Sequence, residues 1–295
     1  MYRKYLYIIH TTKYIIHKMG EETTKPRRRK MKGIVLAGGT ATRLFPMTAT
    51  TSKQLLPVYD RQMIFYPLNT LIKAGIKNIL VIVAPEHSGQ FLNLLGSLLK
   101  KHDIHITFEV QSTPKGLAEA LTLGENHIGS DNVALILGDN IFEDDFSKQI
   151  RSFRTGGHIF AKKVSDPERF GVVKFNKNNK AIEIVEKPKN WISDYAVTGL
   201  YLFDNDCVEI AKNIKPSERG EVEITEVNKA YLKKKNLEVT IFEGQWLDAG
   251  TPDSLLEASV IVKEKGISKN FHPILDQAIS EFSEELKILS KKKLN

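Results

Sequence analysis

Apolar, β-branched runs alternate along this chain with segments whose apolar residues recur every three or four positions. The runs are typical of strands, and the longer spacing is typical of amphipathic helices. Strands are expected over residues 33–37, 78–84, 104–110, 132–137, 157–164, 171–176, 181–186, 196–203 and 237–242. Helices are expected over residues 63–74, 89–101, 116–127, 145–154, 222–234, 252–265 and 266–295. This alternation predicts an α/β fold with a mixed, mostly parallel central sheet and helices on both faces.

Two parts of the pattern are more specific. The strands expected over 171–176, 181–186 and 196–203 alternate in a way that is more typical of antiparallel pairing. Thr251 and Pro252 have the N-cap and first-turn chemistry that predicts the start of a helix.

The first strand leads into the most informative segment of the chain, which contains Gly38, Gly39, Arg43 and Lys53. Glycines allow backbone N–H groups to close around a polyanion, and the two cations supply positive charge. The segment lacks the Gly-Lys-Ser/Thr of a P-loop and the third glycine of a dinucleotide fingerprint. It therefore predicts a nucleotide triphosphate site of another kind and disfavours a dinucleotide-dependent oxidoreductase.

The formal net charge of +8 is unevenly distributed over the 295 residues. Residues 1–30 hold nine Lys or Arg and two Glu, so +7 of the charge lies there. We expect 1–30 to be a disordered basic extension or the product of a misplaced start codon. A catalytic domain is expected over 31–265, followed by a helical tail over 266–295. Because the remainder is nearly neutral, nucleic-acid binding is disfavoured.

Two further features concern the compartment. The chain contains no run of about 18 apolar residues, so no membrane partner is expected. Cys207 is the only cysteine, which excludes an intrachain disulfide and is consistent with a reducing cytoplasm.

Two acids are candidate metal ligands. Asp139 follows the strand expected over 132–137, and Asp248 lies between apolar residues and a turn. Two carboxylates from distant segments suit Mg²⁺, which takes one or two of them together with phosphates and water. An acid after a strand is also a common cap or turn residue.

Two adjacent side chains are candidate ligand contacts. Glu186 can accept hydrogen bonds from sugar hydroxyls and Lys187 can contact a phosphate, provided that the strand bends near Pro188. An isolated Glu-Lys-Pro is more often a solvated turn. Taken alone, Gln111 is typical of a glutamine in a surface loop.

Nine motifs resemble, in order, those of the sugar-1-phosphate nucleotidylyltransferase family, and most of all its thymidylyltransferases. They read LAGGTATRLFP, TSKQLLPVYDRQMIFYPL, QSTPKGLAEAL, LGDNIF, DPERFGVVKF, EIVEKPK, YAVTGLYLFD, RGEVEITEVNKAYL and WLDAGTPDSLLEA. Together they span about residues 31–262. The resemblance implies a Rossmann-like nucleotide-diphospho-sugar transferase fold.

The resemblance also implies a reaction. A thymidylyl group would pass from dTTP to glucose 1-phosphate, giving dTDP-glucose and pyrophosphate at the start of dTDP-rhamnose and deoxysugar synthesis. Mg²⁺ would lie on Asp139 and Asp248, with Arg43, Lys53 and Lys187 as catalytic cations, in a cytoplasmic homotetramer. The implied substrate-binding positions are Gly38, Gly39, Ala41, Thr42, Arg43, Lys53, Gln54, Gln111, Gly116, Asp139, Gly171, Glu186, Lys187 and Val197. Among them, Gln111 matches the base-reading glutamine of the family, whose amide offers a donor and an acceptor together to the edge of thymine or uracil.

Two departures from the family pattern leave alternatives open. Ala41 stands where thymidylyltransferases usually have glycine, so a positive φ would be strained there. Residues 143–145, Glu-Asp-Asp, replace a common Tyr-Gly-His stretch, which leaves end-product regulation open. One alternative is a uridylyltransferase that uses UTP, because uracil presents the same edge as thymine. The other is a sugar-nucleotide sensor without catalysis, against which the intact cations and acids argue.

Overall fold

Nine strands form one mixed sheet in the computed structural model, which describes residues 29–39, 41–96, 102–178 and 180–292. Two other short strand pairs lie outside this sheet. The strands are β1 (Met31–Ala37), β2 (Pro57–Val58), β3 (Arg61–Gln62), β4 (Asn78–Val83), β5 (His105–Val110), β6 (Asn132–Leu137), β7 (Asn140–Phe142), β8 (Gly157–Lys163), β9 (Gly171–Phe175), β10 (Ala181–Glu186), β11 (Tyr195–Phe203), β12 (Leu237–Ile241) and β13 (Trp246–Asp248).

Both parallel and antiparallel pairing occur in the large sheet, whose main path has the order β10-β9-β11-β6-β1-β4-β5. Parallel pairing joins β6, β1, β4 and β5, and also β12 and β8. Antiparallel pairing joins β11 to β6, β8 and β9, and β10 to β9. The expected antiparallel character of the strands near 171–203 is therefore confirmed. The pairs outside this sheet are β2–β3 and β7–β13, both antiparallel.

Helices cover both faces of the sheet. They are α1 (Phe65–Lys73), α2 (Ser88–Leu95), α3 (Glu119–Leu123), α4 (Glu125–Ile128), α5 (Ser147–Ser152), α6 (Asp206–Lys212), α7 (Ile224–Lys233), α8 (Pro252–Lys265) and α9 (Pro273–Lys292). Successive residues of β1 pack on opposite faces, so Val35 joins the core beneath α1 and α8, while Ile34 joins the core beneath α3 and α7. The predicted α/β architecture is confirmed.

The start of α8 follows its sequence signal. The hydroxyl of Thr251 accepts from the backbone N–H of Ser254, and the Ser254 hydroxyl accepts in return from the backbone N–H of Thr251. Pro252 occupies the first helical position. Two orphan N–H groups are thereby satisfied, which fixes the start of this helix shortly after Asp248, the last residue of β13.

Two predicted helices are each interrupted. The helix expected over 116–127 consists of α3 and α4, which meet at Gly124, where a Cβ would lie 2.5 Å from Cδ1 of Ile34. The helix expected over 266–295 begins only at Pro273, because Gly266 has a left-handed conformation and a 3-10 turn covers Ile267–Asn270. The expectations for residues 1–28, 97–101 and 293–295 lie outside the described residues. Among the helices that the structure describes, none has the length and apolarity to span a membrane.

Candidate active site

Three candidate residues follow parallel strands at one edge of the sheet. Gly38 follows β1, Gln111 follows β5, and Asp139 lies two residues after β6. These strands belong to the parallel part of the sheet, so their carboxyl ends meet at the same edge. In open α/β sheets, ligands bind at this edge.

Lys53 and Asp139 form an ion pair at that edge. Nζ of Lys53 donates to Oδ2 of Asp139, and only 9% of Lys53 is exposed. Nδ2 of Asn140 donates to Oδ1 of the same carboxylate at 2.9 Å. Burial by itself would raise the pKa of Asp139, but the charge and hydrogen bond of Lys53 and the Asn140 bond hold it below its ordinary value. The Asp139 carboxylate is thus held in its ionised form.

The short β7–β13 pair brings Asp248 to the same place. In its register, Asp248 lies opposite Asn140, the residue after Asp139. Oδ1 of Asn140 accepts from the backbone N–H of Gly199 at 3.0 Å and from Nε1 of Trp246 at 2.6 Å. One buried amide therefore joins β7, β11 and β13 and fixes the two acids relative to each other. Neither short strand was predicted, because three residues are too few for a period-two pattern.

The environment of Asp248 disfavours its ionisation. Burial and the charge of Asp139 raise the pKa of Asp248 to about 6, although Lys53, Arg43 and Arg169 act in the opposite direction. Burial is the larger cause of this shift, and the neighbouring carboxylate of Asp139 adds to it. A divalent cation bound to both carboxylates would favour the ionised form of Asp248.

Arg43 faces the same acid from the loop after β1. A Cβ on Gly250 would lie 2.9 Å from Nη2 of Arg43 and 3.3 Å from Oδ1 of Asp248. The glycine therefore leaves room for the guanidinium to approach the carboxylate. Arg43 itself is exposed, so its guanidinium can contact an anion from solvent.

The donor set at this edge suits a hard divalent cation. Asp139 and Asp248 are the two carboxylates that meet there. Among the described residues, no group of three or more His, Cys, Asp or Glu side chains could hold a metal ion. Two carboxylates without further protein ligands match Mg²⁺, which completes its shell with substrate phosphates and water.

A second cluster surrounds Glu186 at the end of β10. Oε2 of Glu186 accepts from the Thr225 hydroxyl at 2.6 Å. A Cβ on Gly171 would lie 3.0 Å from that hydroxyl, 3.2 Å from Oε2 of Glu186 and 3.9 Å from Cβ of Val197. The structure thus brings together the predicted residues Gly171, Glu186 and Val197 and adds Thr225 from α7.

The bend required at the end of β10 lies at Lys187. This residue has φ +42°, and its backbone N–H donates to the carbonyl of Phe170 at 2.9 Å. The left-handed conformation breaks the alternation of the strand, so Lys187 need not point away from the ligand side of Glu186. Lys187 is exposed.

A cavity of about 1100 Å³ opens beside this bend. Glu186 and Lys187 line it, whereas Lys53 and Asp139 do not. Arg219, which was not singled out from the sequence, also lines the cavity. Its Nη2 lies 3.5 Å from Oε1 of Glu186. Arg219 belongs to the RGEVEIT motif, which is the signal that could have identified it.

Other predicted positions have structural roles that the sequence did not reveal. Gln54 is buried, and its Oε1 accepts from the Ser52 hydroxyl at 2.6 Å. Gly116 has φ +111°, and a Cβ there would lie 2.5 Å from the carbonyl oxygen of Val222. Thr42 is exposed beside Arg43, and Gly39 has open space around it.

Sequence comparison assigns the chain to a family. The profile of the nucleotidyl transferase family matches residues 32–265, which is most of the chain. The chain belongs to this family. This nucleotidyl transferase is 51% identical over 248 residues to the glucose-1-phosphate thymidylyltransferase of Neisseria meningitidis serogroup A, covering 82% of the chain and 86% of the relative.

Solved structures share the nucleotidyl transferase fold. A Bacillus anthracis protein, assigned as a glucose-1-phosphate thymidylyltransferase and crystallised with a sucrose, superimposes with a TM-score of 0.77 at 42% identity. The match covers 84% of this chain and 99% of that one. A UDP-glucose pyrophosphorylase bound to UDP-glucose superimposes with a TM-score of 0.70 at 24% identity, covering 80% and 100% of the two chains, and supports the fold alone.

The departure at Ala41 carries the strain expected for it. In this nucleotidyl transferase Ala41 has φ +49° and ψ +33°, a left-handed conformation. A residue with a Cβ adopts this conformation at a cost of about 1–2 kcal/mol. Ala41 directly precedes the 3-10 turn Thr42–Leu44, so its left-handed conformation sets the direction of the turn that contains Arg43.

Proposed function

We propose that this nucleotidyl transferase moves a thymidylyl group from dTTP to glucose 1-phosphate, forming dTDP-glucose and pyrophosphate. The observation that carries the proposal is its 51% identity, over most of both chains, to a glucose-1-phosphate thymidylyltransferase. The paired acids and cations at the sheet edge support catalysis over a sensor role, since a site that only bound product would not require them.

The reaction needs no nucleophile from the protein. A phosphate oxygen of glucose 1-phosphate attacks the α-phosphorus of dTTP in line, and the bond from that phosphorus to the leaving pyrophosphate breaks. The protein positions the two anions and neutralises their charge.

Each side of the reaction has its own cations. On the dTTP side, Arg43 and Lys53 hold the triphosphate and stabilise the pyrophosphate that leaves. The backbone around Gly38 and Gly39 lets the phosphates approach closely. Because Lys53 is already paired with Asp139, its ammonium group lies in a fixed position before substrate binds.

On the sugar side, Lys187 holds the phosphate of glucose 1-phosphate, and Glu186 accepts hydrogen bonds from sugar hydroxyls. Gly171 and Val197 offer backbone contacts beside them. The contact of Glu186 with Thr225 supports this role, because it fixes one carboxylate oxygen and leaves the other to reach the sugar or Arg219.

Asp139 and Asp248 would hold Mg²⁺. When bound there, the ion supplies positive charge to the phosphates of both substrates. The raised pKa of Asp248 supports this assignment, because a buried carboxylate beside a second one is stabilised in its ionised form by a cation that binds both.

We also propose that the enzyme acts in the cytoplasm as a homotetramer. The single thiol, Cys207, is buried, and burial raises its pKa, so it is suited to packing and not to reactivity. The tetramer rests on the family resemblance.

The test is pyrophosphate release from glucose 1-phosphate with dTTP, UTP, ATP, CTP and GTP, each with Mg²⁺ and with EDTA. We expect metal-dependent release that is fastest with dTTP. Preference for UTP would favour the uridylyltransferase alternative. Nucleotide binding without release from any of the five would contradict catalysis and favour the sensor.

A further inference from the structure

The amide of Gln111 has a fixed orientation in this structure. Its backbone N–H donates to the carbonyl of Val83 at 2.9 Å, which extends the β4–β5 pairing. Its Nε2 donates to Oε2 of Glu119 at 2.7 Å. Gln111 is 3% exposed, so neither end of the residue is free to move widely.

Glu119 determines which end of the Gln111 amide is the nitrogen and which is the oxygen. A carboxylate offers only acceptors, so the group facing it must be the NH₂ and not the oxygen. If the amide turned over, Oε1 of Gln111 would face Oε2 of Glu119, and two acceptors would meet without a proton between them. The same carboxylate oxygen accepts from the backbone N–H of Lys115 at 3.0 Å, which holds Glu119 in place.

The acceptor end of Gln111 consequently faces the glycine-rich turn. A Cβ on Gly38 would lie 2.4 Å from Oε1 of Gln111, so only glycine admits the oxygen there. No group in the part of the chain that the structure describes donates a hydrogen bond to this oxygen. Nε2 of Gln111 carries two N–H groups and donates one hydrogen bond to Glu119, so its second N–H is left as a donor beside the oxygen.

We infer that Glu119 is a positioning residue that determines base specificity by fixing the amide of Gln111 as an acceptor–donor pair. This inference rests on the proposed function. Thymine and uracil present N3–H and O4, a donor next to an acceptor, and match the fixed amide. Cytosine presents N3 and an amino group, an acceptor next to a donor, and matches only the reversed amide. The enzyme therefore rejects cytosine nucleotides by an orientation that Glu119 enforces.

Glu119→Ala tests this directly. The substitution removes the acceptor that only the NH₂ end of the Gln111 amide can contact, so Glu119 no longer favours one orientation of that amide. Lys115 is exposed, so water can accept from its backbone N–H in the variant. Dissociation constants for dUTP and dCTP are measured by calorimetry, because these two nucleotides differ only at the base edge. The ratio of these two dissociation constants gives the preference for dUTP over dCTP. The same preference is then measured as the ratio of the two kcat/KM values with saturating glucose 1-phosphate.

We expect the wild type to prefer dUTP and the variant to narrow the preference at least tenfold, the effect of one mispaired polar contact. The control is Glu125→Gln. Glu125 is an exposed acid in α4, the helix after the one that contains Glu119, and its Oε1 lies 2.6 Å from Nζ of Lys212. It should leave the ratio unchanged.

An unchanged ratio in Glu119→Ala, or an equal loss for both nucleotides, would overturn the inference. The unfolding midpoint of the variant should match that of the wild type, which separates a change in specificity from a loosened fold. Failure of the wild type to turn over dTTP would contradict the proposed function instead. The calorimetric ratio is still decisive in that case, because it requires binding alone.

Discussion

The ammonium group of Lys53 donates to the carboxylate of Asp139 although 86 positions separate the two residues along the chain. The contact joins the loop after β1 to the end of β6. A cation expected to hold a triphosphate and an acid expected to hold a metal ion are thus neighbours before any ligand binds. The pairing fixes the distance between the two groups, and it contributes to holding the pKa of Asp139 below its ordinary value.

Lys53→Ala is expected to lower turnover at least about 10²-fold, because one donor that stabilises developing charge is lost. The loss should fall on kcat more than on the KM for glucose 1-phosphate, since Lys53 does not line the cavity beside Lys187. Pyrophosphate release measures both constants. The control is Lys77→Ala, which removes an exposed lysine paired with Asp103 and should leave the rate unchanged. A near-wild-type rate in Lys53→Ala would remove Lys53 from the mechanism.

Asp248→Asn is expected to stabilise the metal-free protein while abolishing most of its activity. The pKa of Asp248 rises from 3.8 to about 6 on folding. The folded state therefore holds this proton more tightly, and the resulting stability is present below pH 4 and lost as pH rises through 6. At pH 8 the variant should exceed the wild type by about 1–3 kcal/mol in unfolding free energy.

Urea unfolding in EDTA at pH 4, 6 and 8 measures this difference. The gap between Asp248→Asn and the wild type should grow with pH. Glu86→Gln, which alters an exposed acid, should show no such trend. A gap that is constant with pH would mean that Asp248 ionises without hindrance.

Ala41→Gly is expected to relieve the left-handed strain at this position. The unfolding free energy should rise by up to about 1 kcal/mol, since the relieved strain exceeds the added freedom of the unfolded chain. Ala49→Gly provides the comparison. Ala49 is not among the residues with positive φ, so glycine at this position should only lower the unfolding free energy. Equal destabilisation by both changes would show that the conformation of Ala41 is unstrained.

Asn140→Ala is expected to cost about 2–4 kcal/mol of stability, because it leaves the N–H groups of Gly199 and Trp246 without their acceptor. The apparent affinity for Mg²⁺ should also fall, since Asp139 and Asp248 lose the amide that fixes them. Thermal unfolding and the Mg²⁺ dependence of turnover measure the two effects. Asn178→Ala, in an exposed turn, should change neither. Unchanged metal dependence would show that the β7–β13 pair holds its register without this amide.

The long strands and helices were predictable from the sequence because each contains several repeats of its apolar period. The strand over 132–137 and the helix over 252–265 have the predicted bounds, the latter because Thr251, Pro252 and Gly266 mark both ends. The β7–β13 pair was not predictable, since each strand has three residues and the pairing spans more than a hundred positions.

The candidate site was predictable only as a set of residue types. Motif residues marked Lys53, Asp139, Glu186 and Gln111 without indicating what each contacts. The partners of the last two, Thr225 and Glu119, come from helices and depend on tertiary packing. Such contacts have no signature in local periodicity, so they required the structure.

Phosphorus NMR of the protein incubated with dTTP, glucose 1-phosphate and Mg²⁺ shows directly whether a thymidylyl group is transferred. If the protein transfers the thymidylyl group, the phosphorus of glucose 1-phosphate becomes half of a coupled diphosphate in dTDP-glucose, and pyrophosphate appears in equal amount. Pyrophosphate together with dTMP and unchanged glucose 1-phosphate would mean that water is the acceptor. That result would contradict the proposed transfer of the thymidylyl group to glucose 1-phosphate.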